Sequence, residues 1–302
     1  MYNQVSFYTV DENCENQRID NFLTKELKGV PKSHIYKIIR QGEVRVNKKR
    51  IDNTYKLQVN DIIRIPPINI AQKPEHQSIK TDKKIKILYE DDYILAVYKP
   101  NGMAVHGGSG VSFGIIEYFR SQEKYKDCFL ELVHRLDKET SGVLLLAKKR
   151  SALTNLHEQI RDGKCLKKYY AIVIGHWQNH KQNLTFPLKK VILATGERKV
   201  FVDEQGQLSH TIIYLEKHVE IGNIHCSLLE AELKTGRTHQ IRVHLAHAGF
   251  PILGDEKYGN FTLNKQLPNK EYRMYLHAHL FAFRHPNTGD IVEIKAEIDW
   301  GG

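Results

Sequence analysis

The most constraining feature of this 302-residue chain is a short charged segment placed directly before an apolar one. The segment His134–Gly142 sets Arg135 two positions before Asp137 and closes on a Thr-Ser-Gly turn. The run Val143–Ala147 that follows is apolar enough to be a fully buried strand. Charges beside a buried strand are costly unless each has a partner or a chemical task. The segment therefore predicts a functional site, with Asp137 as the first candidate residue.

The charge of the chain indicates a polyanionic partner. It carries 45 Lys and Arg against 35 Asp and Glu, a formal net charge of +10. Nucleic acid is the commonest ligand of such basic proteins. Between Cys14 and Lys80 there are 14 basic against 7 acidic residues. This concentration near the N-terminus predicts a dedicated docking module.

Export and membrane insertion are not expected. The longest unbroken apolar run, Tyr93–Tyr98, has six residues, whereas a membrane-spanning helix needs about 20. The first residues lack the basic and apolar regions of a signal peptide. The four cysteines are scattered without a Cys-x-x-Cys pair, which argues against a disulfide framework or a thiolate zinc site. We therefore expect a cytoplasmic protein.

The hydrophobic pattern changes along the chain and predicts two domains. Residues 1–67, with a core over 14–67, combine two amphipathic helices with a small β-unit. A Pro-Pro pair then opens a polar stretch, so residues 68–84 are predicted to be a linker. In residues 85–302 strands and helices do not alternate regularly, which favours an α+β domain with a mixed or antiparallel sheet.

The same patterns predict individual elements. The predicted helices are Arg18–Leu27, a second between an N-cap at Ser33 and Gly42, Ala152–Arg161, and Thr238–Ala248. The predicted strands are Val44–Asn47, Asp61–Ile65, Tyr93–Tyr98, Val143–Ala147, Tyr169–Ile174, His210–Tyr214 and Ile224–Leu233.

Three further segments carry residues suited to a site. Lys167–Gly175 places two tyrosines beside lysines at the start of an apolar strand. Thr235–His244 is a glycine turn leading into an arginine-rich helix start. Pro251–Gly259 is a loop with an embedded acid, in which Asp255 and Tyr258 look like a structural, loop-fixing pair.

These segments together resemble a known family. His134–Gly142 resembles the H-R-L-D-x-x-T-S-G signature of the RluA-type RNA pseudouridine synthases at every fixed position. Lys167–Gly175 is similar to the second motif of that family, and Gly236–Arg242 to its third. The stretch Gln17–Pro67 resembles an S4 RNA-binding module, most of all that of a subgroup acting on large-subunit ribosomal RNA.

The resemblance implies a fold and a reaction. The expected fold is a mixed, largely antiparallel sheet with flanking helices and loops, preceded by a small S4-like α/β domain. The expected reaction converts specific uridines of 23S ribosomal RNA to pseudouridine by breaking the N1–C1′ bond, turning the base and joining C5 to C1′. Because all atoms are conserved, no cofactor and no metal are expected. The expected partner is RNA, and the expected oligomeric state is a monomer.

The resemblance also implies roles for individual residues. Asp137 would be the catalytic carboxylate, as a nucleophile or as a base. Arg237 would be the counter-charge that keeps Asp137 ionised, and Tyr169 would stack on the uracil. Arg135 would fill the gap left when the uridine leaves the helix. The predicted RNA-binding residues of the N-terminal module are Lys32, Arg40, Arg45, Lys48, Lys49 and Arg50.

Several alternatives stay open at this point. The chain could be a related synthase acting on other ribosomal or transfer RNA uridines, or a non-catalytic ribosome-assembly factor that binds RNA. A glycosidase would need a second carboxylate, and no motif supplies a convincing one. A zinc site at His239, His244 and His247 is disfavoured, because no cysteine and no clear acidic partner accompany these residues.

Overall fold

The structure is a computed structural model that describes residues 4–27, 29–68, 84–107, 113–126, 128–267, 273–298 and 300. The described residues before position 80 form one compact unit, and nearly all those after it form a second. The predicted linker, 68–84, lies outside the described residues except for its two end positions. No helix in the described ranges is long and apolar enough to cross a bilayer.

The first unit packs two helices on a small sheet. Its elements are β1 (Ser6–Thr9), α1 (Ile19–Glu26), α2 (Lys32–Arg40), β2 (Arg45–Val46) and β3 (Ile62–Ile65). The strands are antiparallel in the order β1-β3-β2. The predicted apolar stripe of α1 is confirmed, since Ile19, Phe22 and Leu23 are buried. The N-cap at Ser33 is wrong, because α2 begins at Lys32 and Ser33 therefore lies in its first turn.

A tight turn carries two of the basic residues of this unit, Lys48 and Lys49. Asn47 and Lys48 both have positive φ angles, 49° and 68°, and the N–H of Lys49 donates to the carbonyl of Val46 at 2.9 Å. Such a two-residue turn is typical of twisted hairpins. Asn47 suits its left-handed position, and its side-chain amide donates to the buried carboxylate of Asp61 at 2.7 Å.

The second unit is built on one large sheet. Its strands are β4 (Ile87–Glu90), β5 (Ile94–Lys99), β6 (Glu131–Leu132), β7 (Ser141–Ala147), β8 (Leu166–Ile174), β9 (Lys181–Leu184), β10 (Leu188–Ile192), β11 (Arg198–Val202), β12 (Thr211–Ile221), β13 (Ile224–Leu233), β14 (Leu276–Arg284) and β15 (Ile291–Lys295). Its α-helices are α3 (Ile115–Arg120), α4 (Arg150–Arg161), α5 (Gln240–His247) and α6 (Phe261–Asn264).

The order in the sheet is β4-β5-β7-β14-β8-β13-β12-β9, with β6 on β7 and β15 on β14, while β10 and β11 form a separate hairpin. All pairs are antiparallel except β7 with β14. The prediction of an α+β fold with a mixed, largely antiparallel sheet is therefore confirmed.

The central strand β14 was not predicted from the sequence. It lies between β7 and β8, and its segment Leu276–Leu280 interrupts the apolar pattern with two histidines. His277 is fully buried. Both of its ring nitrogens are satisfied, since Nδ1 is bonded to Ser141 Oγ at 2.8 Å and Nε2 to the Ala296 carbonyl at 3.1 Å. Hydrogen bonds to distant segments thus allow a polar residue in the middle of the sheet.

Gly142 explains how β7 approaches β14 so closely. Its φ is +111°, and a Cβ at this position would lie 2.2 Å from the carbonyl oxygen of Ala278. Only glycine suits both conditions. The Thr-Ser-Gly end of the first motif therefore sets the start of the parallel pair, and Asp137 lies in the loop just before it.

Candidate active site

Asp137 lies in the turn that joins β6 to β7. The N–H of Thr140 donates to the Asp137 carbonyl oxygen at 3.1 Å and closes this turn. On the preceding side, His134 Nε2 accepts the N–H of Leu145 at 3.2 Å. Burial lowers the pKa of His134 to about 3, so the imidazole is neutral and can accept this bond. The backbone is therefore held on both sides of Asp137.

Lys99 fastens the same turn from below. Its side chain is fully buried at the end of β5. Its ammonium donates to the carbonyl oxygens of Pro100, Met103 and Lys138 at 3.0, 2.6 and 2.8 Å. Burial lowers the pKa of Lys99 to about 7. Because Lys138 directly follows Asp137, the bond from Lys99 to the Lys138 carbonyl positions the backbone next to the candidate carboxylate.

The charge partner of Asp137 is Arg242 on α5. Its Nη1 donates to Asp137 Oδ2 at 3.0 Å, while its Nε and Nη2 donate to the two carboxylate oxygens of Asp255 at 2.8 Å each. The Arg242 side chain is 8% exposed and that of Asp255 0%. Burial alone would lower the pKa of Arg242, but the two carboxylates reverse this and raise it.

Asp255 is held in turn by its own loop. The backbone N–H groups of Lys257 and Tyr258 donate to Asp255 Oδ1 at 2.8 and 3.0 Å, so the predicted loop-fixing role is confirmed. Gly254 precedes it with φ +75°, and a Cβ there would lie 1.8 Å from the Arg273 carbonyl oxygen. Burial would raise the pKa of Asp255, but the Arg242 guanidinium holds it below its usual value. An ionised Asp255 therefore orients Arg242.

His239 faces the other oxygen of Asp137. Its Nε2 lies 3.7 Å from Asp137 Oδ1, longer than a hydrogen bond. Tyr258 Oη accepts the N–H of Val200 at 3.0 Å and lies 2.8 Å from His239 Nδ1. This contact holds the His239 ring beside Asp137. Burial lowers the pKa of His239 despite the nearby Asp137.

Tyr169 lies on β8 and lines the same cleft. The residue is 7% exposed, and its register partners on the two adjacent strands are Ala231 and Ala278. Burial, reinforced by the charge of Asp137, raises the pKa of the Tyr169 hydroxyl. The cleft is also lined by Arg135. Its volume of about 940 Å³ is large enough for a nucleotide.

Known proteins match the sequence of this chain over nearly its whole length. The sequence model of the RNA pseudouridylate synthase family matches residues 92–247. Ribosomal large subunit pseudouridine synthase C of Yersinia pestis is 50% identical over 301 residues, covering 98% of this chain and 92% of that protein. The chain belongs to the RNA pseudouridylate synthase family.

Other comparisons agree with this assignment. The S4 domain model matches residues 17–63 of the synthase. The protein of the same name from Escherichia coli (strain K12) is 49% identical over 301 residues, covering 97% of this chain and 92% of that one. The solved structure of human RNA Pseudouridylate Synthase Domain Containing 1 shares the fold, with a TM-score of 0.61 at 23% identity, covering 71% of this chain and 84% of that one.

The structure of this synthase brings the four predicted catalytic-domain residues to one cleft. Asp137, Tyr169, Arg135 and Arg237 all line it. Arg135 is exposed, as a residue that reaches toward RNA would be. The catalytic, stacking and flipping roles stay predictions.

The predicted pairing of Arg237 with Asp137 is wrong. Arg237 is exposed, and its Nε donates to the Leu208 carbonyl at 3.2 Å. Its backbone N–H is held by Gln240 Oε1 at 3.0 Å, in the turn before α5. Arg242, five residues further along the same motif, points inward and forms the ion pair. Both arginines stand in the motif, so only the start of α5 distinguishes them.

The N-terminal residues predicted to bind RNA all lie at the surface. The side chains concerned are Lys32, Arg40, Arg45, Lys48, Lys49 and Arg50, and each is exposed. Their contact with RNA stays a prediction.

His244, which follows the third motif, has protein partners at its Nε2. His244 is fully buried, and its Nε2 is bonded to Ser209 Oγ at 2.7 Å and lies 3.1 Å from the Phe186 carbonyl oxygen. Burial lowers the pKa of His244 to about 4. In the part of the chain that the structure describes, no three His, Cys, Asp or Glu side chains are grouped to hold a metal ion.

Proposed function

We propose that this protein converts uridines of large-subunit (23S) ribosomal RNA to pseudouridine in the cytoplasm, as a monomer, with Asp137 as the catalytic carboxylate. The observation that carries the proposal is the arrangement of the Asp137 carboxylate. Arg242 holds Oδ2 at 3.0 Å, and Oδ1 accepts no hydrogen bond from the described residues. The carboxylate is thus oriented by one oxygen while the other is available to substrate.

The network around Asp137 supports a role in a bond-breaking step. A carboxylate near the ribose can attack a carbon or remove a proton, and both routes need it ionised and fixed. Arg242 supplies the positive charge, and Asp255 fixes Arg242 by two hydrogen bonds. Lys99 fixes the backbone on the other side of the site through the Lys138 carbonyl. His239 Nε2 lies 3.7 Å from Oδ1, and burial lowers the pKa of this imidazole.

Tyr169 and Arg135 fit the remaining needs of the reaction. The detached uracil has to be retained while it turns, and the ring of Tyr169, which lines the cleft, offers it a stacking surface. The nucleotide has to leave its helix to reach the carboxylate in the cleft. The exposed Arg135, at the cleft, is suited to fill the gap that the nucleotide leaves in the RNA helix and to contact phosphate.

The RNA class rests on two supports. The similar proteins of Yersinia pestis and Escherichia coli are named ribosomal large subunit pseudouridine synthase C. The N-terminal unit contains an S4 domain with exposed lysines and arginines, which favours binding of the RNA backbone.

The decisive experiment is the variant Asp137→Asn. Joining C5 to C1′ releases the C5 hydrogen, so turnover is measured as tritium released from rRNA labelled at uridine C5. We expect a loss of roughly a thousandfold or more in turnover, with RNA affinity within a few-fold of wild type. The matched control is Glu139→Gln, a carboxylate two residues away and 41% exposed, which is expected to retain activity. Substantial turnover by Asp137→Asn would overturn the catalytic assignment.

The substrate is tested separately. Pseudouridines in 23S rRNA, other rRNA and tRNA are mapped in cells with and without this protein. Loss of specific pseudouridines from 23S rRNA is expected. Loss confined to tRNA would replace the proposed substrate while leaving the reaction in place.

A further inference from the structure

Lys167 is a buried cation to which none of the described residues offers an acceptor. Its side chain belongs to β8, two residues before Tyr169, so both point to the same face of the strand. The residue is only 9% exposed. Within the described ranges, its ammonium has no hydrogen bond and no ion pair. Burial lowers the pKa of Lys167, as is typical of an ammonium without a counter-charge.

Among the described residues, the titratable groups that interact with Lys167 carry no negative charge. The titratable side chains that act on it electrostatically are Cys165 and His134. Burial raises the pKa of Cys165 to about 11 and lowers that of His134 to about 3, so both are neutral at pH 7. Its register partner on β14 is Phe281. The described residues therefore leave this charge uncompensated.

The ammonium opens into the cleft at Gly236. A Cβ on Gly236 would lie 3.7 Å from Lys167 Nζ, so the missing side chain leaves the approach to the ammonium open. Both residues line the cleft of Asp137, and so do the exposed Arg135 and Arg237. Of these three lining cations, Lys167 is the most buried.

We propose that Lys167 binds a backbone phosphate of the RNA segment whose nucleotide enters the cleft. This inference rests on the proposed function, in that the ligand is RNA. A desolvated ammonium is stabilised most by an anion. The carbonyl oxygens of uracil are neutral, whereas each phosphate carries a full charge. Lys167 is thus a positioning residue, which holds the RNA backbone while the flipped base stacks on Tyr169.

Its sequence neighbour supplies a matched control. Lys168 points to the opposite face of β8, and its Nζ forms an ion pair with Glu230 at 2.6 Å. The two lysines have the same side chain and adjacent positions, but only Lys167 lines the cleft. Replacing each by methionine compares an unpaired cation in the cleft with a paired one outside it.

The test uses the full chain and a synthetic RNA hairpin containing a uridine that the wild type modifies. Lys167→Met is expected to lower kcat/KM about 10- to 100-fold and to reduce the slope of log Kd against log salt by about 0.7 to 0.9. Lys167→Arg should retain the salt slope. Lys168→Met should leave both quantities within about twofold of wild type. The melting temperature of Lys167→Met should equal or exceed that of wild type, because an unpaired buried charge is removed.

The phosphate itself is located by placing one neutral methylphosphonate at each position around the target uridine. One position should weaken wild-type binding as much as Lys167→Met does, with no further loss in that variant. An unchanged salt slope, or additive losses at every position, would overturn the phosphate assignment. Because binding is measured without turnover, these outcomes do not depend on Asp137 being the catalyst, whose failure would appear only in tritium release.

Discussion

The charges of the cleft and those of the N-terminal unit are organised in opposite ways. In the cleft, Arg242 has an 8% exposed side chain and makes hydrogen bonds to the carboxylates of Asp137 and Asp255. At the turn after β2, Lys48 and Lys49 extend into solvent. A buried charge acts through the geometry of its partners, whereas an exposed charge acts through the summed field that attracts RNA. The first kind is individually irreplaceable and the second is not.

The largest effect is expected for Arg242→Gln. The change leaves the fully buried Asp255 without its counter-charge, and losing one partner of a buried pair lowers the free energy of unfolding by about 3–5 kcal/mol. It also removes the group that orients Asp137, so turnover should fall with stability. Chemical denaturation and tritium release measure the two losses.

Arg237→Gln is the control for that variant. Arg237 is exposed and lies in the same motif, so the free energy of unfolding should change by less than about 0.5 kcal/mol. Equal destabilisation by the two substitutions would show that burial and ion pairing do not distinguish these arginines.

A smaller effect is expected for Lys99→Met, which leaves the carbonyls of Pro100, Met103 and Lys138 without a donor. We expect a loss of about 2 kcal/mol in the free energy of unfolding at pH 7. The pKa of Lys99 falls from 10.5 in the unfolded chain to about 7 in the folded protein. Between these values the unfolded chain binds more protons, so the contribution of Lys99 to stability rises with pH.

The difference in unfolding free energy between wild type and Lys99→Met should therefore widen from pH 7 to pH 9, by at most about 1.4 kcal/mol per pH unit. Denaturant titrations at several pH values measure it. A difference that stays constant over this range would contradict the effect of burial on Lys99.

The smallest effect on stability is expected from replacing Lys48, Lys49 and Arg50 together by glutamine. All three are exposed, so the free energy of unfolding should stay within about 0.5 kcal/mol. RNA affinity should fall at low salt, and the salt slope should decrease by about 2 to 3. Lys56→Gln, an exposed lysine of the same unit outside the predicted set, is the control. An unchanged salt slope in the triple variant would remove this turn from the RNA-binding surface.

Local pattern was enough to predict much of this fold. The strand Ile224–Leu233 has the predicted bounds, and α4 starts two residues before its predicted start, since both have clear apolar periodicity. β14 was missed, because His277 is stabilised by Ser141 and Ala296, which no local pattern can indicate. The unpaired state of Lys167 was equally unreadable, since a lysine in a strand is usually solvated or paired.

The sequence by itself determined the family, the fold class and Asp137 as the candidate carboxylate, because these depend on residue types at short spacings. Only the tertiary structure decided which arginine pairs with Asp137. Arg237 and Arg242 are both present in the third motif, but the start of α5 at Gln240 turns one outward and buries the other against Asp255. An ion pair between residues 105 positions apart depends on how the sheet and α5 pack, and that packing is set by the whole domain rather than by any motif.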